Sequence, residues 1–261
     1  MRSTLAVVAA LVMTVTLGAT GCAARPDSES AVADRVAAPE SGVSTTGSQT
    51  ALPDVDPGPL RGSAHYDFEP AASVVALAER GAVAVVGAIQ SWDDGRTILD
   101  GDELLHFAVL TIKVTDQFKG EAPGGEVKVE FRRGGVIVDE TGAEVPLERG
   151  ARYDIRSVAD LEKAAPVGTR VILIGAPIPT PEEIATEPGQ RVVGLGSLAG
   201  KEEFAVRPLS QGFLLQDADG SYVSGVAEQE FVEADGWSTA ARAGSSGFDV
   251  LVEQLADTYS R

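Results

Sequence analysis

Between Gly81 and Val226 apolar residues recur at alternate positions in short runs separated by glycine, proline and paired acidic residues, a pattern that predicts β-strands. The clearest run is Leu104 to Phe118, where Ala108, Leu110, Ile112 and Val114 share one face and Thr111, Lys113 and Thr115 the other. Ala82 to Trp92 reads as a strand closed by an Asp93-Asp94-Gly95 turn. In Glu126 to Phe131, Val127, Val129 and Phe131 oppose Glu126, Lys128 and Glu130. The unbroken Val171-Ile172-Leu173-Ile174 run marks a central strand within Gly168–Gly175, and the Pro-rich segment Pro177 to Pro188 reads as loop. Short strands follow at Arg191–Leu195, Glu203–Leu209, Gly212–Gln216 and Ser221–Val226, with Asp219-Gly220 as a hairpin turn between the last two.

Helical spacing appears in three places. Glu69-Pro70 ahead of Val74, Leu77 and Ala78 predicts a short helix that Gly81 stops. Ser157 begins another, with Asp160, Leu161 and Lys163, inside the polar excursion Arg132–Pro166. Phe248, Leu251, Val252, Leu255 and Tyr259 follow i, i+3, i+4, i+7, i+11 and predict a C-terminal amphipathic helix, with Ser246 and Asp249 as a capping pair. Many short strands with Gly/Pro turns predict a mainly β domain, an antiparallel barrel or sandwich.

The N-terminus has a different character. Arg2 precedes an apolar run from Leu5 to Leu17 that ends in Ala19-Thr20-Gly21-Cys22, the form of a secretory signal over residues 1–21. The run is shorter than the roughly 20 residues that cross a bilayer. Cys22 is the only cysteine. Its position resembles the lipobox of bacterial lipoproteins, although Ala19 stands where such motifs carry Leu. The resemblance implies diacylglycerol on the Cys22 thiol, cleavage before it, and a palmitate-type chain on the new amine. Two buried acyl chains suffice for stable anchoring where one does not, at about 0.8 kcal/mol per methylene. The expected address is the extracytoplasmic face of the cell membrane.

Composition narrows the partners. The chain of 261 residues carries a formal charge of −18, and losing residues 1–21 removes Arg2 and no acid, which makes it −19. Nucleic-acid binding needs Lys and Arg to displace counterions, so such an acidic chain argues against it. With Cys22 committed to lipid, no disulfide can form and the fold must rest on its core. Residues 22–65 are rich in Ala, Ser, Thr, Gly, Pro and acids and read as a disordered tether. Its root-mean-square span is roughly 35–40 Å, which exceeds the Debye length of about 10 Å and holds an acidic domain clear of an acidic membrane. Residues 66–261 are then one globular domain.

The segments Gly81-Ala82-Val83-Ala84-Val85-Val86-Gly87, Leu110 to Gly120 and Val167-Gly168-Thr169-Arg170-Val171-Ile172-Leu173 resemble lipoproteins of high-GC Gram-positive bacteria. More distantly, they resemble netrin-like and TIMP-like OB-fold barrels. The resemblance spans roughly residues 80–175 and implies an OB-like barrel. TIMP inhibitors use a free N-terminal cysteine amine and several disulfides, neither of which this chain offers, so the inhibitor function is not carried over.

Candidate chemistry is sparse. Gly194-Leu195-Gly196-Ser197-Leu198-Ala199 matches the dinucleotide pattern, but Phe204-Ala205-Val206 and Pro208 predict a strand where a helix N-terminus must follow. No nucleotide is therefore expected. Asp217 and Asp219 are a calcium candidate, with Glu228 at the twelfth position, yet Tyr222 occupies the sixth place where an EF-hand loop needs Gly, and a hairpin turn is the simpler reading. His65 and His106 are the only histidines, and neither forms a metal-ligand pair. Glu182-Glu183 and Glu202-Glu203 read as solvated charges, and no G-x-S-x-G elbow supplies a nucleophile. Trp92 and Trp237 belong to the core or to a contact surface.

These features point to a lipid-anchored extracytoplasmic binding or interaction module, with no cofactor, the membrane as one partner and an envelope protein as a possible other. The alternative is an exported hydrolase whose site is assembled from scattered Asp and Glu. Cys22→Ala is expected to shift the protein from the membrane fraction to the medium or to an uncleaved precursor. Unchanged membrane association at unchanged mass would refute the lipid.

Overall fold

Five strands cannot alternate direction all the way round a closed ring, so at least one neighbouring pair must run parallel. The computed structural model, which describes residues 52–61, 68–147, 153–200, 205–232, 237 and 247–259, resolves the closure in that way. Strands β1 (Val83–Asp100), β2 (Glu103–Lys119) and β3 (Glu126–Ile137) form an antiparallel meander. A short helix α2 (Val158–Ala164) leads to β4 (Arg170–Pro177), which pairs antiparallel with β1. After helix α3 (Pro181–Ile184) and strand β5 (Gln190–Gly194), strand β6 (Ala205–Gln216) lies antiparallel to β4 and parallel to β3. The ring therefore reads β1–β2–β3–β6–β4 and back to β1. The OB-like barrel expected from the sequence is a closed, mixed five-strand barrel, and the parallel β3–β6 pair departs from the all-antiparallel expectation.

Strand alternation sorts the apolar residues into two cores. Val83, Val85, Ile89, Leu110, Ile112, Val129, Phe131, Val171, Leu173, Phe213 and Leu215 fill the barrel. Phe131 stands between Trp92 and Phe213, with ring centroids 5.5 and 4.8 Å away. The intervening residues Ala84, Val86, Ile172, Ile174 and Leu214 face outward, where helices α1 (Val74–Arg80) and α4 (Gly247–Tyr259) cover them together with Trp237. The Val171–Ile174 run is unbroken because both of its faces are buried.

Several boundaries differ from the sequence reading. Asp93-Asp94-Gly95 is no turn: β1 continues through it with a register shift between Asp94 and Thr97, and the chain reverses at Gly101. Gly95 is required by close approach, since a Cβ there would come within 3.0 Å of the Phe107 carbonyl carbon. Glu203–Leu209 and Gly212–Gln216 merge into the single irregular strand β6, with a register shift opposite Leu173 and Gly175. Helix α1 is capped by Ser73 rather than begun by Pro70, and α2 carries the Ser157/Asp160 capping box.

Residues 52–61, within the stretch expected as tether, pack on the barrel. Val55 and Leu60 enter its core, the Asp56 amide donates to the Ala164 carbonyl, and the Arg61 guanidinium donates twice to the Ser224 carbonyl. Three prolines lower the entropy lost when this strap is ordered, so two apolar anchors suffice to hold it. Residues 1–51, including Cys22, and residues 62–67, including His65, lie outside the described residues.

Candidate functional site

Glu130 alternates with Val129 and Phe131 on β3 and therefore points away from the barrel interior. An outward carboxylate on a half-buried sheet is ordinarily solvated. Here it is fully buried, because the segment that leaves β4 folds across the outer face of the sheet. Ile178 and Leu198 of that segment pack on Val109 and Ala205, and Ile184 packs on Ile98 and Phe107. The segment Pro177–Pro188, expected as loop, contains α3 with a Thr180/Glu183 capping box. Gly196 brings the segment close to β1, since a Cβ at that position would collide with the carbonyls of Asp94 and Gly95, and its positive φ of 56° suits glycine.

Under this cover Arg96 of β1, also fully buried, grips Glu130 in a two-point fork: Nε donates to Oε1 at 2.6 Å and Nη2 to Oε2 at 2.8 Å. Its Nη1 donates to the Pro179 carbonyl at 2.6 Å, which ties the covering segment to the same cation. Arg207 of β6 reaches Glu130 Oε2 from the other side at 3.3 Å, half exposed, with its guanidinium 6.0 Å from the Phe107 ring centre. Two cations thus converge on one buried carboxylate. A charged pair is expensive to desolvate and is retained only where its hydrogen bonds are complete.

The network forms the floor of a cleft of about 660 Å³ between the β1–β2–β3 sheet and residues 179–190. Ile98, Leu105, Phe107 and Ile184 give it an apolar wall. At the rim Arg132 pairs with Glu103 at 2.6 Å. Leu60 of the strap closes one end. There Arg156 donates to the carbonyls of Pro59 at 2.5 Å, Arg132 at 2.6 Å and Arg133 at 3.1 Å. Four arginines face four carboxylates in this cleft, so its lining is formally neutral in a chain with net charge −18. Its volume falls within the range of sites that hold small molecules.

The residues singled out in the sequence lie elsewhere. Asp217 and Asp219 sit in the hairpin between β6 and β7 (Tyr222–Ser224). There Asp217 accepts from the Ala218 amide, and Asp219 accepts from the Ser221 amide at 2.8 Å. Hydrogen bonding to Ser221 holds the Asp219 carboxyl below the usual range. Glu228 is 3.7 Å from Arg61. Among the described residues no group of three His, Cys, Asp or Glu could hold a metal ion. His106 is on β2, on the face opposite Leu105 and Phe107; partial burial, then the Arg133 cation, lowers its pKa against the pull of Asp94. Gly194 to Ala199 ends β5 and enters a single 3-10 turn rather than a helix. Trp92 and Trp237 are core residues whose indoles donate to the carbonyls of Ala165 at 2.9 Å and Ala71 at 2.8 Å. Glu202 and Glu203 lie outside the described residues.

The sequence reading missed Arg96, Glu130 and Arg207. Each sits on a different strand, and alternation alone assigns Glu130 to solvent, so no local signal marks it. Glu130→Leu is expected to lower the unfolding free energy by about 3–5 kcal/mol, because it strands the buried Arg96 guanidinium. Combining it with Arg96→Met is expected to bring stability to within about 2 kcal/mol of wild type, the Pro179 carbonyl remaining short of a donor. Urea denaturation measures both. A double variant that costs the sum of the singles would show that the two charges do not act as a pair. No protein-family model, curated protein or solved structure matches this chain.

Proposed function

We propose that this protein is a lipid-anchored binding module on the extracytoplasmic face of the membrane, and that the Arg-lined cleft is where it binds. The signal-like N-terminus with its single cysteine supports the anchor. The observation that carries the binding reading is the cleft floor: a buried Arg96–Glu130 fork, costly to desolvate, that also fixes a second arginine against an apolar wall. Concave sites with an apolar lining and a few fixed polar groups are the usual form of ligand pockets. Of the cleft's four carboxylates, Glu130 and Glu103 are engaged by arginines rather than paired with each other across a substrate-sized gap, which at those two favours binding over the hydrolase alternative.

Native mass spectrometry of protein extracted mildly from its own envelope tests the reading. A co-purifying ligand of defined mass is expected on wild type and on Val167→Trp, which alters a residue that is 52% exposed outside the cleft. The ligand is expected to be lost from Leu105→Trp, which fills the cleft. Retention on Leu105→Trp, or its absence from wild type, would contradict the proposal.

A further inference from the structure

We infer that the cleft takes a small monocarboxylate with an apolar body, its carboxylate received by Arg207; this rests on the cleft being the binding site. The charge count at the floor sets the ligand's sign. Arg96 spends Nε and Nη2 on the two oxygens of Glu130 and Nη1 on the Pro179 carbonyl, so that pair is neutral and its fork is made. Arg207 adds one positive charge to an acceptor already held in a fork. Its 3.3 Å approach is longer than the 2.6 and 2.8 Å bonds of Arg96, and longer than the roughly 2.7–2.9 Å of a strong charge-assisted bond. Its side chain is 53% exposed, so the fork can be presented to the cleft while Phe107 steadies its plane.

The surplus of one lies at the floor, where the ligand's anionic end would sit; over the whole lining four arginines face four carboxylates. Arg132 is balanced by Glu103, and Asp100 and Asp154 stand exposed at the rim. A dianion such as a phosphate monoester would carry more charge than the single extra cation at the floor meets, whereas a monoanion needs Arg207 alone. A planar carboxylate also fits a guanidinium fork with two parallel bonds. Beside it, Ile98, Leu105, Phe107 and Ile184 offer an apolar wall that a bare carboxylate would leave in water. Burying an apolar body there adds affinity in proportion to the area removed from solvent.

Isothermal titration of the full-length protein in phosphatidylcholine nanodiscs, with empty nanodiscs as blank, tests the assignment using 3-phenylpropionate, 3-phenylpropionamide and acetate. The acid is expected to bind with a Kd below about 1 mM, and the amide and acetate at least about tenfold more weakly. Arg207→Gln is expected to reduce the acid to the affinity of the amide and to leave the amide unchanged. Arg207→Lys, which keeps the charge without the fork, is expected to fall between them. Equal affinity for acid and amide, no loss in Arg207→Gln, or no binding of the acid would overturn the inference. If the co-purifying ligand is still displaced by Leu105→Trp when the acid fails to bind, the ligand class falls alone. If neither holds, the binding reading beneath it falls too.

Discussion

A carboxylate and a guanidinium, both removed from water, set the geometry that the rest of this structure obeys. Arg96 belongs to β1, Glu130 to β3, Arg207 to β6, and the Pro179 carbonyl to the segment leaving β4. Four parts of the chain meet within hydrogen-bond distance of one another. Relative to apolar residues of similar volume, a buried pair contributes little net stability, while an incomplete pair is severely penalised. Its influence is therefore on geometry. A slip in the β2–β3 register, or a shift of the covering segment, breaks a fork that has no solvent to fall back on. The barrel interior alone imposes no such condition, since apolar contacts tolerate small displacements.

The barrel and the helices were legible because they follow from periodicity. Alternation in β2, the apolar run in β4 and the i, i+3, i+4 spacing of α4 each report burial on a known face. Capping chemistry likewise placed α2, where Ser157 and Asp160 satisfy each other's backbone amides. What failed were features decided by a distant partner. Gly95 looked like a turn residue, yet it is a glycine because β1 and β2 approach closely there. Glu130 looked like a residue of the polar face and is buried because residues 178–198 fold over it. The strap 52–61 is polar on average, and averaging hides the two residues, Val55 and Leu60, that seat it.

The same covering segment that buries Glu130 also creates the cleft. Had it lain flat on the sheet, its apolar residues would have sealed the face. Instead it is anchored at Pro179 by Arg96, at Ile184 on Phe107, and at Gly196 against β1. The strap enters beside the cleft, with Leu60 in its end wall. On the proposed reading, the chain that leads back to the membrane meets the domain next to the mouth where it binds.

The most direct test of this account is nitrogen-15-edited NMR of the arginine side chains. It predicts a slowly exchanging, strongly shifted Nε–H for Arg96, and an Arg207 Nε–H that exchanges rapidly until 3-phenylpropionate is added and then slows. An Arg96 Nε–H that exchanges as fast as those of exposed arginines would contradict it, because the buried fork on which the cleft is built would not exist in solution.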